Sequence, residues 1–194
     1  MSDFWLYVSL GFEHVLDWNA YDHVLFLIVL SVGYSFDSWR KLLLLVTLFT
    51  LGHTISLILG NYSIIQVDGA LIECLIPITI AITALYNVFL TGRTNRPQKH
   101  GLLYVLTVFF GLIHGFGFAR YYKMISEDSA LTPLLEFALG VELSQIVVVL
   151  VVLILAFLAL RLLNFNKRDW ILVISAIVIG LVIPMLSYAC FGPA

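Results

Sequence analysis

The chain has 194 residues, of which 61% are hydrophobic and only 11% are charged. A soluble domain has about a quarter of its residues charged, so this composition excludes a soluble globular protein and predicts one that is solvated by lipid. The formal net charge of −2 provides no basic surface for nucleic acid.

The first two apolar segments are too short or too polar to be simple membrane spans. Phe4–Leu16 is too short to cross about 30 Å of hydrocarbon, and we expect it to form an interfacial or re-entrant helix. Trp18–Phe36 is apolar only from Val24 onward, because its first turn carries Asp22 and His23. This segment predicts a compromised first span.

Five long apolar runs follow, and each has the roughly 20 residues that a transmembrane helix needs. They are Leu42–Gly60, Gly69–Leu90, Gly101–Arg120, Pro133–Leu163 and Trp170–Phe191. The predicted fold is therefore an all-α integral membrane protein, a single domain over residues 1–194. It has six transmembrane helices and a short N-terminal interfacial helix, or seven spans if that helix crosses. Cys74 and Cys190 lie in two of these runs without metal-motif spacing, and we expect both to be small buried hydrophobes.

The basic residues predict the orientation of the bundle. Eight of them lie in or beside alternate loops: Arg40, Lys41, Arg93, Arg96, Lys99, Arg161, Lys167 and Arg168. The opposite side has only Arg120 and Lys123. Cytoplasmic loops carry the excess of Lys and Arg, so the first group is predicted to face the cytoplasm. With six spans, both termini would then face outward.

Six ionisable residues fall within the predicted spans. They are Asp22, His23, His53, Glu73, His114 and Glu142. At 1.5 Å per residue from the predicted helix ends, all six lie in the outer half of the membrane. An ionisable group costs several kcal/mol in hydrocarbon, so a shared depth indicates a shared function.

Imidazoles and carboxylates together suggest a metal site. This ligand set suits Ni²⁺, Zn²⁺ or Co²⁺, whereas Mg²⁺ and Ca²⁺ prefer oxygen ligands alone. Three nearby residues are candidates for supporting the ligands or lining an entrance: His14 and Asp17 on the N-terminal helix, and Gln145 beyond Glu142. The alternative is a metal-free hydrogen-bond network that holds the helices together.

Several local motifs, taken in order, resemble one family. They are Tyr21–Leu27, Phe49–Leu57, Glu73, Phe110–Ala119 and Gly140–Gln145. Together they resemble the HupE/UreJ family of bacterial membrane proteins, which is associated with nickel supply to hydrogenase and urease. The resemblance implies a metal permease of the bacterial inner membrane, so the termini that the charge bias places outside would be periplasmic. It also implies that Asp22, His23, His53, His114 and Glu142 handle the metal.

Three functions remain open at this point, and we favour transport, which assigns no catalytic residue. An intramembrane zinc hydrolase acting on a lipid-like substrate would use Glu142, Glu73 or Asp22 as general base. A metal-binding accessory subunit would bind without turnover. The expected partners are the metal ion, nickel before zinc or cobalt, and the bilayer. Assembly as a homo-oligomer is left open.

Overall fold

A computed structural model describes residues 2–18, 20–91, 100–125 and 131–192. Over these ranges the chain forms seven α-helices and no strand, which confirms the all-α prediction. The helices are α1 Ser2–Leu16, α2 Asp22–Ser31, α3 Trp39–Asn61, α4 Gly69–Leu90, α5 His100–Ile125, α6 Leu131–Phe157 and α7 Lys167–Phe191. A 3-10 turn, Phe36–Ser38, leads into α3, and a π-helical turn, Leu158–Leu162, extends α6.

Five of the described helical segments are long and apolar enough to cross a membrane. They are Phe36–Asn61, Gly69–Leu90, Leu103–Met124, Leu131–Leu162 and Lys167–Phe191. Each overlaps one of the five long predicted spans, so the chain is a membrane protein. The count of six spans is not confirmed, because the first predicted span contains only a short helix.

That short helix is α2, which has 10 residues and is about 15 Å long. Its last turn is tied to α4, because the Asn87 side-chain amide donates a hydrogen bond of 2.7 Å to the Val29 carbonyl. Carbonyls at the end of a helix within a membrane need such a donor, since lipid offers none. A half-length helix is thus compatible with a position inside the bundle.

The N-terminal helix α1 packs lengthwise against α6 rather than lying apart from the bundle. A Cβ atom at Gly11 would come within 2.1 Å of the Phe137 carbonyl oxygen, and one at Gly140 within 2.0 Å of the Val8 carbonyl oxygen. Only glycine permits such a close approach between two backbones. Residue numbers fall along α6 as they rise along α1, so the two helices are antiparallel. The predicted interfacial or re-entrant helix therefore belongs to the packed bundle, and its position relative to the membrane surface stays a prediction.

Glycines also bring α3 and α5 together, and these helices carry two of the predicted site histidines. A Cβ atom at Gly111 would lie 2.2 Å from the Phe49 carbonyl oxygen, and one at Gly115 would lie 2.3 Å from the His53 carbonyl oxygen. Here the residue numbers rise together, so the two helices run in parallel. This contact fixes His53 on α3 beside His114 on α5.

Cys74 and Cys190 form a disulfide between α4 and α7. The prediction of two unpaired buried cysteines is therefore wrong, and a separation of 116 residues in apolar context gave no signal for the bond. Disulfides persist in oxidising compartments such as the periplasm. The bond lies near the start of α4 and the end of α7, the side that the charge bias predicts to face outward. Of the residues used for that bias, Arg93, Arg96 and Lys99 lie outside the described ranges.

Candidate metal centre

Four imidazole rings from four different helices meet in the interior of the bundle. They belong to His14 on α1, His23 on α2, His53 on α3 and His114 on α5. The His23 ring is central, with its centroid 4.6 Å from that of His14, 5.7 Å from His53 and 5.1 Å from His114. His23, His53 and His114 are only 3%, 1% and 1% exposed. We call these four side chains the imidazole cluster.

Each ring of the imidazole cluster has one buried nitrogen to which no described residue forms a hydrogen bond. These atoms are Nε2 of His14, His23 and His53, and Nδ1 of His114. A buried polar atom without a partner costs about 1–3 kcal/mol, and such atoms are rare in native proteins. Four of them in one place indicate a site built for a ligand that accepts lone pairs or supplies hydrogen bonds.

The remaining nitrogens of two rings are held by neighbouring side chains. Asp22 Oδ1 lies 3.0 Å from His23 Nδ1 and also accepts a 2.9 Å hydrogen bond from the His23 backbone N–H. Thr79 Oγ1 lies 3.2 Å from His114 Nε2. Metal-binding histidines usually have their second nitrogen oriented in this way by a carboxylate or another polar group. The arrangement therefore suits imidazoles that bind metal through their free nitrogens. At His23 it also places a carboxylate oxygen 3.0 Å from Nδ1, where these two atoms could bind an ion together.

Two groups of three side chains have ligand atoms that all lie within 4.8 Å of one another. One group is His14, His23 and His53, and the other is Asp22, His23 and His114. Structural zinc sites are closed by four protein ligands, whereas sites with three protein ligands keep a position open for water or another ligand. Each group therefore offers the ligand number of an open site.

Aromatic rings surround the imidazole cluster. Phe118 and Phe137 contact His14, with centroids 3.8 and 5.6 Å from it, while Phe26 and Phe49 contact His114 at 5.4 and 5.2 Å. Apolar walls exclude water and lower the local dielectric, which strengthens the attraction between a cation and a nearby carboxylate.

A cavity of about 700 Å³ adjoins the cluster at His14. Its lining includes Glu13, Asp17 and Trp18 around the end of α1, and Tyr121 on α5. Two carboxylates at such an opening raise the local concentration of cations. Asp17, predicted as an entrance residue, thus lines the cavity that leads to His14, and we call this cavity the vestibule.

Glu142 and Gln145 lie in a different place from the imidazole cluster. The Thr47 hydroxyl donates a 2.6 Å hydrogen bond to Glu142 Oε1, and the Thr50 hydroxyl donates to Glu142 Oε2. Gln145 is fully buried and lies 3.1 Å from Thr50 Oγ1. We call these four side chains the Glu142 cluster. It joins α3 to α6, and neither Glu142 nor Gln145 belongs to the two three-ligand groups.

The sixth predicted residue, Glu73, is exposed on α4 and is also outside those groups. The structure thus brings together Asp22, His23, His53 and His114, adds His14 as an equal member, and leaves Glu73 and Glu142 apart. A signal for His14 exists in the sequence. Gly11 precedes it by three residues, just as Gly111 precedes His114, and both glycines allow another helix to approach closely. Thr79 gave no such signal, because threonines in membrane helices usually bond to their own backbone.

The chain matches one known family over almost its whole length. The family model described as HupE / UreJ protein matches residues 1–189, so the chain belongs to this family. Curated proteins and solved structures give no match to the chain.

Proposed function

We propose that this member of the HupE / UreJ family takes up a divalent transition-metal ion across the bacterial inner membrane, and that the ion binds at the imidazole cluster. Nickel is the first candidate, because the family is associated with nickel supply, and zinc and cobalt are the alternatives. The observation that carries the proposal is the set of four buried, unpartnered ring nitrogens, which converge from four helices.

The ligand chemistry supports a first-row divalent ion. Neutral imidazoles bind Ni²⁺, Co²⁺ and Zn²⁺ well, whereas Mg²⁺ and Ca²⁺ need oxygen shells. Cu(I) favours thiolates and thioethers, and both cysteines of this chain are in a disulfide. Asp22 supplies one negative charge beside the cluster, which partly offsets the cost of placing a doubly charged ion in a low-dielectric site.

The position of the site supports uptake. The vestibule lies at the end of α1 and includes Glu13 and Asp17, so a cation is attracted there before it meets His14. The disulfide joins the start of α4 to the end of α7. Both the disulfide and the charge bias favour a periplasmic position for these two helix ends. An ion that enters through the vestibule would then move from the periplasm toward the cytoplasm.

Uptake of radioactive nickel into proteoliposomes tests this function. We expect time-dependent uptake with the native chain, and uptake at the level of protein-free liposomes with His53→Ala. His100→Ala is the matched control, because it removes an imidazole at the first residue of α5, about 21 Å along that helix from His114. Native uptake by His53→Ala, or an equal loss with His100→Ala, would contradict the proposal.

A further inference from the structure

We propose that the imidazole cluster provides two alternative positions for one ion, and that His23 belongs to both. The vestibule position consists of His14, His23 and His53, and the carboxylate position consists of Asp22, His23 and His114. The inference rests on the proposed function, since it describes how the transported ion moves through the site.

The spacing of the ligand atoms separates the two positions. Two atoms bound to one ion at roughly 2.1 Å can be no more than about 4.2 Å apart, so a group within 4.8 Å needs only small movements to close on an ion. The five side chains form two groups of this size, and only His23 is in both. One ion therefore cannot use all five ligands without a larger rearrangement.

The two nitrogens of His23 face different partners. Nε2 is the buried nitrogen without a partner, while Nδ1 lies 3.0 Å from Asp22 Oδ1. Two ligands of the same ion are commonly about 3 Å apart, so an ion can replace the hydrogen between these two atoms. The displaced proton can be taken up at Nε2, the nitrogen that the ion has left. Because the nitrogens of an imidazole point away from each other, an ion at Nε2 and an ion at Nδ1 occupy different places.

The surroundings order the two positions along a route. His14 lines the vestibule, whereas Asp22, His23 and His114 do not. An ion from outside therefore meets the vestibule position first, where all three ligands are neutral imidazoles. The carboxylate position adds the negative charge of Asp22. This charge attracts a divalent cation and so favours its transfer from the vestibule position to the carboxylate position. Thr79 holds His114 in place to receive it.

Metal binding to single and double variants tests whether the imidazole cluster provides two alternative positions for the ion or one shared site. His14→Ala removes a ligand from the vestibule position only, and His114→Ala from the carboxylate position only. We expect each purified full-length variant to retain one nickel ion per chain, with nickel uptake into proteoliposomes lowered roughly 10-fold or more. His23→Ala and the double variant His14→Ala/His114→Ala should lose the ion.

The ligands of the retained ion give a second readout. X-ray absorption spectra should show a carboxylate oxygen and two imidazoles on nickel in His14→Ala, and three imidazoles without the carboxylate in His114→Ala. His14→Asn and His114→Asn preserve a polar side chain and should behave like the alanine variants, which separates ligand loss from a packing defect. His100→Ala should bind and transport like the native chain.

One shared site gives the opposite pattern. If His14→Ala and His114→Ala each lose the ion that the native chain binds, the two-position inference is wrong while the proposed function stands. Identical nickel ligands in both single variants also overturn it. If the native chain neither binds nor transports nickel, zinc or cobalt, the proposed function itself fails.

Discussion

The imidazole cluster and the Glu142 cluster share helix α3, where His53 follows Thr50 by only three residues, yet the ring nitrogens of the first and the carboxylate oxygens of the second are in opposite states. In the imidazole cluster, four buried ring nitrogens have no partner among the described residues. In the Glu142 cluster, both carboxylate oxygens accept hydrogen bonds from threonine hydroxyls, and only Gln145 Nε2 is buried without a partner among the described residues. Ionisable residues at a similar depth therefore differ in whether their hydrogen-bonding capacity is already used.

This difference separates ligand binding from helix packing. A carboxylate whose oxygens are both engaged by α3 serves to join α3 to α6, and interhelical hydrogen bonds of this kind contribute about 0.6 kcal/mol on average. Free imidazole nitrogens contribute nothing to packing and cost stability until a ligand engages them. The metal-free network considered from the sequence thus fits the Glu142 cluster, whereas the imidazole cluster is where we propose the metal site.

Among the carboxylates, the largest effect is expected at Asp22, which lies beside the imidazole cluster. Asp22→Asn removes the charge beside His23 and weakens the orientation of its ring, so nickel affinity should fall about 10–100-fold, measured by equilibrium dialysis. Glu73→Gln is the control, because Glu73 is exposed on α4 and apart from both three-ligand groups. If Asp22→Asn kept the native nickel affinity, Asp22 would have no more effect on metal than Glu142, and the distinction between the two clusters would fail. If nickel affinity also fell in Glu73→Gln, Glu73 would be a ligand.

The smallest effect on metal is expected in the Glu142 cluster. Glu142→Gln keeps the shape of the side chain but replaces one acceptor oxygen with a donor, so the pairing with Thr47 and Thr50 is partly lost. We expect unchanged nickel affinity and a modest loss of stability, about 0.6 kcal/mol in the free energy of unfolding. Thermal unfolding in detergent and equilibrium dialysis on the same sample measure both. Loss of nickel in this variant would show that Glu142 belongs to the metal site.

The sequence predicted how far along its helix each polar residue lies, but not toward which neighbouring helix its side chain points. The long apolar runs gave the five spans, and counting residues from their ends gave His53, His114 and Asp22 a similar depth. Phe137 faces His14 and His53, with centroids 5.6 and 6.4 Å from theirs. Glu142 follows Phe137 by five residues, which turns it about 140° around α6 and away from the rings. Depth alone therefore could not separate the two clusters.

The N-terminal region shows a second limit. Length alone made Phe4–Leu16 a weak candidate for a span, and the same criterion gave no indication of the packing of α1 against α6. That packing depends on two backbones in contact at Gly11 and Gly140, which are 129 positions apart in the sequence. The disulfide between α4 and α7 was hidden for the same reason. Contacts between distant segments leave no local periodicity to read.

The most direct test of the metal centre is elemental analysis of the purified full-length chain, loaded with nickel and separated from free ion by gel filtration. We expect close to one nickel per chain for the native protein and none for His23→Ala, because His23 belongs to both three-ligand groups. A native chain that retains no nickel, zinc or cobalt, or a His23→Ala variant that retains as much as the native chain, would contradict it.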